Sequence, residues 1–279
     1  MIGAGQQTTF RQAGREKFSN TALILAGHGS TKNSASSRFT RETARKLGKR
    51  GIFREVRAGF WKESPSFQEV FHGLEAERAI VVPWFLTRGY FVEKVLSEQF
   101  ASTPIPCRIL DPLGSRPEIL ELVRQRAERL RTRIRMRIRI SELIEILTGK
   151  HRIRTEETSL LLASHGTPLH KASRVAADSL AAELAKDGYR VSQAMFLEEE
   201  PKIADWRQVA APEGPVMVLP HFLAGGLHGS EDVPGLLGIP SGKEGWYRVD
   251  GRWIGYGAPI GTPAEMEQLI LRMVGAASR

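Results

Sequence analysis

The chain has 279 residues, 41% of them hydrophobic, enough for one large domain or two ordinary ones with a sizeable core. Its net charge of +9 favours anionic partners without choosing among nucleic acid, a membrane surface and an acidic small molecule. A single cysteine, Cys107, excludes an intrachain disulfide or a cysteine-built cluster, so no Fe–S centre is expected, and it suits a reducing compartment such as the cytoplasm.

Residues 1–19 read as a polar N-terminal extension lacking the apolar core of a signal peptide. No apolar run approaches the roughly 20 residues of a membrane span. The first predicted strand, Leu23–Ala26, is a continuous apolar run, as in strands buried on both faces, and ends at His28-Gly29-Ser30. A helix stopped by Gly51 follows, then the block AGFWKESPSF (58–67), a strand at Ala79–Pro83, and a closing helix from Arg116 to Leu130. Residues 131–157 begin RTRIRMRIRI, an alternation that would put the arginines on one face of a strand. The plain reading is a solvated basic linker, and no aromatic interleaving points to nucleic acid.

The order then repeats. Strand Leu160–Ala163 ends at His165-Gly166-Thr167, 137 residues after its first copy, and the same offset relates Leu47 to Leu184, Pro83 to Pro220 and Phe85 to Phe222. AMFLEEEPKI (194–203) matches 58–67 at offset 136, and APIGTPAEM (258–266) matches DPLGSRPEI (111–119) at offset 147, the extra residues falling in a Gly-rich insertion around 241–257. Ala177, Leu180, Ala181 and Leu184 lie on one helical face, with Gly188 as the stop, and Pro263–Val274 closes the copy. The chain is thus two copies of one unit, 20–130 and 158–279. Strands alternating with helices predict parallel sheets covered on both sides, with ligands beyond the carboxyl ends of the strands.

Three polar groups follow three successive strands of the second copy: His165, Glu198 in MFLEEEP, and His228 in PHFLAGGLHGSEDVP. Two imidazoles and a carboxylate suit a borderline divalent metal and proton transfer near neutral pH. His221 stands where the first copy has Trp84 and reads equally as packing or as a substrate contact. The residues before the two His-Gly turns, Gly27 and Ser164, exclude the Arg-His-Gly of histidine phosphatases, and neither turn supplies the Gly-x-Ser-x-Gly of a serine hydrolase.

The blocks LAGHGS, LASHGT, AMFLEEEP and LPHFLAGGLHGSEDVP resemble the class II tetrapyrrole chelatases, the CbiX, CbiK and SirB group of sirohydrochlorin cobalto- and ferrochelatases. The resemblance covers both halves. It implies two fused doubly wound α/β units with the active cleft between them, and insertion of Co²⁺ or Fe²⁺, or of Ni²⁺, into sirohydrochlorin or a related carboxylated ring, in cobalamin or sirohaem biosynthesis. It maps metal binding and proton acceptance onto His165, Glu198 and His228, with no cofactor beyond the metal substrate. In the first copy Lys62 stands for Glu198 and Phe91 for His228, so that half should hold no metal and serve as a wall, with His28 still facing substrate. A carboxylated ring would be met by Lys62, Arg88, Lys171 and Arg174, while Gly225 and Gly226 would let a flat macrocycle approach the backbone. A fused duplicate needs no partner to complete its cleft, so a monomer is expected. The same ligands would also suit a non-catalytic metal or tetrapyrrole carrier, which a turnover assay separates from an enzyme.

Overall fold

A computed structural model describes residues 17–31, 35–133, 153–168, 171–223 and 228–277. The chain forms two compact units, one of residues 1–116 with 261–279, the other of residues 117–260.

In the first unit, strands β1 (Thr21–Gly27), β2 (Glu55–Phe60), β3 (Arg78–Pro83) and β4 (Cys107–Ile109) form a parallel sheet in the order β2-β1-β3-β4. Central β1 is buried along its whole length, which is why it reads as an unbroken apolar run. Helix α1 (Ala35–Lys49) buries Thr40, Thr43, Ala44 and Leu47, the i, i+3, i+4, i+7 face that an amphipathic helix turns to a sheet. Below the sheet, Phe67, Val70, Phe71, Val81, Leu96 and Phe100 form one cluster, each contributing about 1.5–3 kcal/mol by burial.

The second unit repeats the plan with β5 (Ser159–Ser164), α2 (Glu118–Arg133), α3 (Lys171–Ala185), β6 (Val191–Phe196) and β7 (Val216–Pro220). The Gly-rich insertion is not a loop. It forms β8 (Gly245–Val249), which turns back into β9 (Arg252–Tyr256), giving the order β6-β5-β7-β9-β8 with β8 antiparallel at the edge. Asp250 and Gly251 both have positive φ, 48° and 77°, the geometry of a tight hairpin turn that Asp-Gly favours. Trp246 of β8 lies so close to Gly255 that a Cβ there would stand 2.8 Å from the indole ring.

The closing helices do not stay with the repeats they end. Helix α2, last element of the first copy, belongs to the second unit: Arg124 bridges Asp187 at 2.8 Å, and Trp246 Nε1 donates to the Leu130 carbonyl at 2.8 Å. Helix α4 (Pro263–Ala277), last element of the second copy, belongs to the first unit, where buried Glu267 pairs with Arg50. Phe18, within the stretch read as polar extension, is buried with its ring 5.2 Å from Phe53. Helix α2 runs on to Arg133, so the first residues of the Arg/Ile alternation are helical rather than extended. Residues 134–152, the rest of that run, lie outside the described residues, as do Gly225 and Gly226.

Candidate functional site

At the carboxyl end of β5 the chain turns sharply through His165-Gly166. Gly166 has φ of 71°, and a Cβ there would sit 2.9 Å from Phe196, so only glycine fits. The turn is held from below by Glu199, whose carboxylate accepts from the Thr167 N–H and pairs with Arg174 at 3.5 Å. Arg174 also donates to the Glu200 carbonyl and lies over the Phe196 ring at 5.0 Å. The first unit builds the same scaffold: Glu63 accepts from the Ser30 N–H at 3.0 Å and pairs with Arg41 at 2.7 Å, and Arg41 lies over Phe60. Burial works against the charge on Glu63, but Arg41 and the Ser30 N–H outweigh it and hold the carboxyl below its usual range.

This scaffold presents the imidazole in a defined orientation. His165 Nδ1 is 2.7 Å from the Gly166 carbonyl, which only accepts, so Nδ1 is the donor there and Nε2 is the nitrogen turned outward. Nε2 lies 3.7 Å from Glu198 Oε1, with both side chains about half exposed. Backbone bonds set that approach, since the Glu198 N–H donates to the His165 carbonyl at 3.1 Å. His165 and Glu198 are therefore brought together. The backbone of His228 opens a π-helical turn, His228–Asp232, of the kind that clusters at functional sites. Buried Tyr256 anchors the turn by donating to the Gly229 carbonyl at 2.7 Å. The His228 side chain lies outside the described residues, and among those described no three-ligand group is present.

The first unit has different residues at the corresponding positions. His28 keeps its Nδ1 contact with the following carbonyl, at 3.0 Å, and the Lys62 N–H donates to the His28 carbonyl at 2.8 Å, the counterpart of Glu198 and His165. Phe91 opens a π-helical turn, Phe91–Leu96, as His228 does. Its ring sits 5.5 Å from His28 and contacts Trp61, Phe67 and Phe85 at 5.9, 6.5 and 4.8 Å. Phe91 thus stands in an aromatic cluster beside His28. Exposed Lys62 lies 5.3 Å above the Trp61 ring.

Among the other expected contacts, Lys171 is exposed, Arg88 pairs with Asp111, and Arg174 is engaged in the Glu199 scaffold. Sequence reasoning missed Glu199 and Tyr256. The recurrence of Glu63 and Glu199 at offset 136 was available as a signal for the first. It also left His221 undecided; the structure buries it, 2.9 Å from Ser164 Oγ.

Comparison with known proteins agrees with this duplicated geometry. The CbiX family model matches twice, over residues 22–130 and 159–277. A Halobacterium salinarum protein named "Probable sirohydrochlorin cobaltochelatase" is 29% identical over 221 residues, 76% of this chain and 75% of that protein. Among solved structures, CbiX, described as the terminal enzyme of sirohaem biosynthesis in denitrifying bacteria, superposes with a TM-score of 0.64 at 22% identity, over 92% of this chain and 99% of that one. SirB from Bacillus subtilis with Fe³⁺ gives 0.62 at 14% identity, over 93% and 96%. A multi-domain Deinococcus radiodurans protein with structural similarity to chelatases gives 0.64 at 21% identity, and this chain spans 55% of its length.

Proposed function

The chain belongs to the CbiX family, and we propose that it inserts a divalent metal into sirohydrochlorin or a related carboxylated tetrapyrrole, with His165, Glu198 and His228 holding the metal and taking the protons. The observation that carries the site assignment is the approach of His165 Nε2 to within 3.7 Å of the Glu198 carboxylate at a half-exposed strand end, with Nδ1 turned to the Gly166 carbonyl. In the first unit the corresponding pair is an imidazole and an ammonium group, which do not hold a cation together.

Insertion exchanges one M²⁺ for two pyrrole N–H protons. Neutral imidazoles present the metal without adding charge, and each accepts a proton as the metal leaves it. Glu198 offsets part of the metal charge and passes protons to water. Lys62, Arg88 and Lys171 are each candidates to pair with a ring carboxylate, although Arg88 is already paired with Asp111, whereas Arg174 stays with Glu199 and Glu200. Work as a single chain in the cytoplasm belongs to the same proposal, since both repeats are already joined. No helix among the described residues is long and apolar enough to cross a membrane.

The test is anaerobic insertion into sirohydrochlorin, followed by absorbance, with Co²⁺, Fe²⁺ and Ni²⁺ in turn. Acceleration over the protein-free rate with at least one metal is expected. No acceleration with any of them, with metal and ring both bound, would make the protein a carrier.

A further inference from the structure

Beneath the candidate metal site lies a polar pair with no counterpart in the first unit. Strands β5 and β7 run in parallel register up to Ala163 and Pro220, and the next rung places Ser164 beside His221, with the His221 N–H donating to the Ala163 carbonyl at 2.7 Å. Both side chains are buried, 1% and 3% exposed, and Ser164 Oγ lies 2.9 Å from His221 Nδ1. The same rung of the first unit holds Gly27 and Trp84. Gly27 has no side chain to offer, and the indole N–H of Trp84 is buried with no partner among the described residues. A polar pair in a core is costly unless fully bonded, so it persists where something depends on it.

We propose that the Ser164–His221 hydrogen bond is a positioning device for the metal ligands, and that Ser164 and His221 are positioning residues in metal capture. Ser164 stands where the carboxyl ends of β5, β6 and β7 meet. His165 is its neighbour in sequence. Its carbonyl accepts from the Leu197 N–H at 3.1 Å, next to Glu198. Its hydroxyl ties it to His221, the residue from which the chain leaves β7 toward His228. The bond therefore ties the end of β7 to the strand end that carries His165 and adjoins Glu198, and it exists in the half that keeps all three ligand types. Burial pushes the His221 pKa down to about 4, so the pair carries no charge beneath a divalent cation.

The inference rests on the reading of His165, Glu198 and His228 as metal groups, and its test separates the two. Co²⁺ binding to the full chain is titrated by its visible absorption, without ring, for wild type, Ser164→Ala, His221→Phe, His221→Asn and Trp84→Phe; KM for Co²⁺ and for sirohydrochlorin is measured in parallel. Ser164→Ala and His221→Phe should each weaken Co²⁺ binding about 10- to 100-fold, the usual effect of removing a partner that orients a ligand. KM for the ring should stay unchanged. His221→Asn, which keeps a polar group near Nδ1, should recover most of the loss, and Trp84→Phe should leave both constants as in wild type. Ser164→Ala removes one oxygen and carries the test if His221→Phe fails to fold. Co²⁺ binding within twofold of wild type in Ser164→Ala overturns the proposal, as does His221→Asn being as weak as His221→Phe. Tight Co²⁺ binding weakened by Ser164→Ala, in a protein that never inserts metal, would leave the positioning role standing and remove the chelatase reading instead.

Discussion

If the first unit is a lapsed copy of the second, two substitutions should restore its metal site. The ring of Phe91 lies 5.5 Å from that of His28. Two imidazoles bound to one ion at about 2.0–2.1 Å, with a tetrahedral angle between them, place their ring centres roughly 5 Å apart. Phe91→His therefore puts a second imidazole at close to the required separation, and Lys62→Glu replaces a cation with the carboxylate found at Glu198. Removing Phe91 from contact with Trp61, Phe67 and Phe85 should cost about 1–3 kcal/mol. Saturation with Co²⁺ at a hundred times its Kd should return about 2.7 kcal/mol. The assay is thermal unfolding of the double variant in a His165→Ala background, which silences the second unit, with and without Co²⁺. A Co²⁺-dependent rise in Tm of roughly 5–10 °C is expected, at about 2–4 °C per kcal/mol. Each single variant should show little of it. A double variant that folds and shows no more Co²⁺ response than its background would refute the equivalence of Phe91 with His228 and of Lys62 with Glu198.

Buried His221 titrates at about 4 when folded against 6.5 when unfolded, so its contribution is intact above pH 6.5 and is lost as pH falls from 6.5 toward 4. That gap is worth about 3 kcal/mol, and urea unfolding of wild type against His221→Phe across this range should show the variant missing that slope. In the first unit, Arg50→Ala should destabilise more than Glu267→Gln, by about 2–3 against about 1 kcal/mol by urea unfolding. It strands a carboxylate that is 7% exposed, whereas the other change frees an arginine that is 43% exposed. Equal losses would count against that reasoning. Lys62→Ala should raise KM for sirohydrochlorin more than it lowers kcat in steady-state assays, because an ammonium that pairs with a ring carboxylate contributes binding in ground and transition state alike.

Strands β1, β3, β5 and β7 were legible because each is buried on both faces, which leaves an unbroken apolar run. The His-Gly turns were legible because the duplication printed each twice. Edge strand β8 was not, although Val249-Asp250-Gly251-Arg252 carries a hairpin signal, because it has no copy in the first half. The exchange of α2 and α4 between units was hidden for a different reason: an amphipathic helix shows its apolar face but not which sheet receives it. A trace of the choice does lie in the charges. Position 50 is Arg and its repeat equivalent, position 187, is Asp, and each meets the opposite charge on the helix it receives, Glu267 and Arg124. At the site, His165 and Glu198 followed from strand order, whereas Ser164–His221 depends on register between strands far apart in sequence.

The central claim is that the second half does the work. Steady-state cobalt insertion into sirohydrochlorin, measured for His165→Ala and His28→Ala with folding checked by circular dichroism, tests this most directly. His165→Ala should lose about 100- to 10,000-fold in rate, as expected for removal of a positioned acid–base group that also holds the metal. His28→Ala should lose far less, because Lys62 and Phe91 leave it no partners for a metal. Full activity in His165→Ala together with an inactive His28→Ala would place the reaction in the first unit and contradict the assignment.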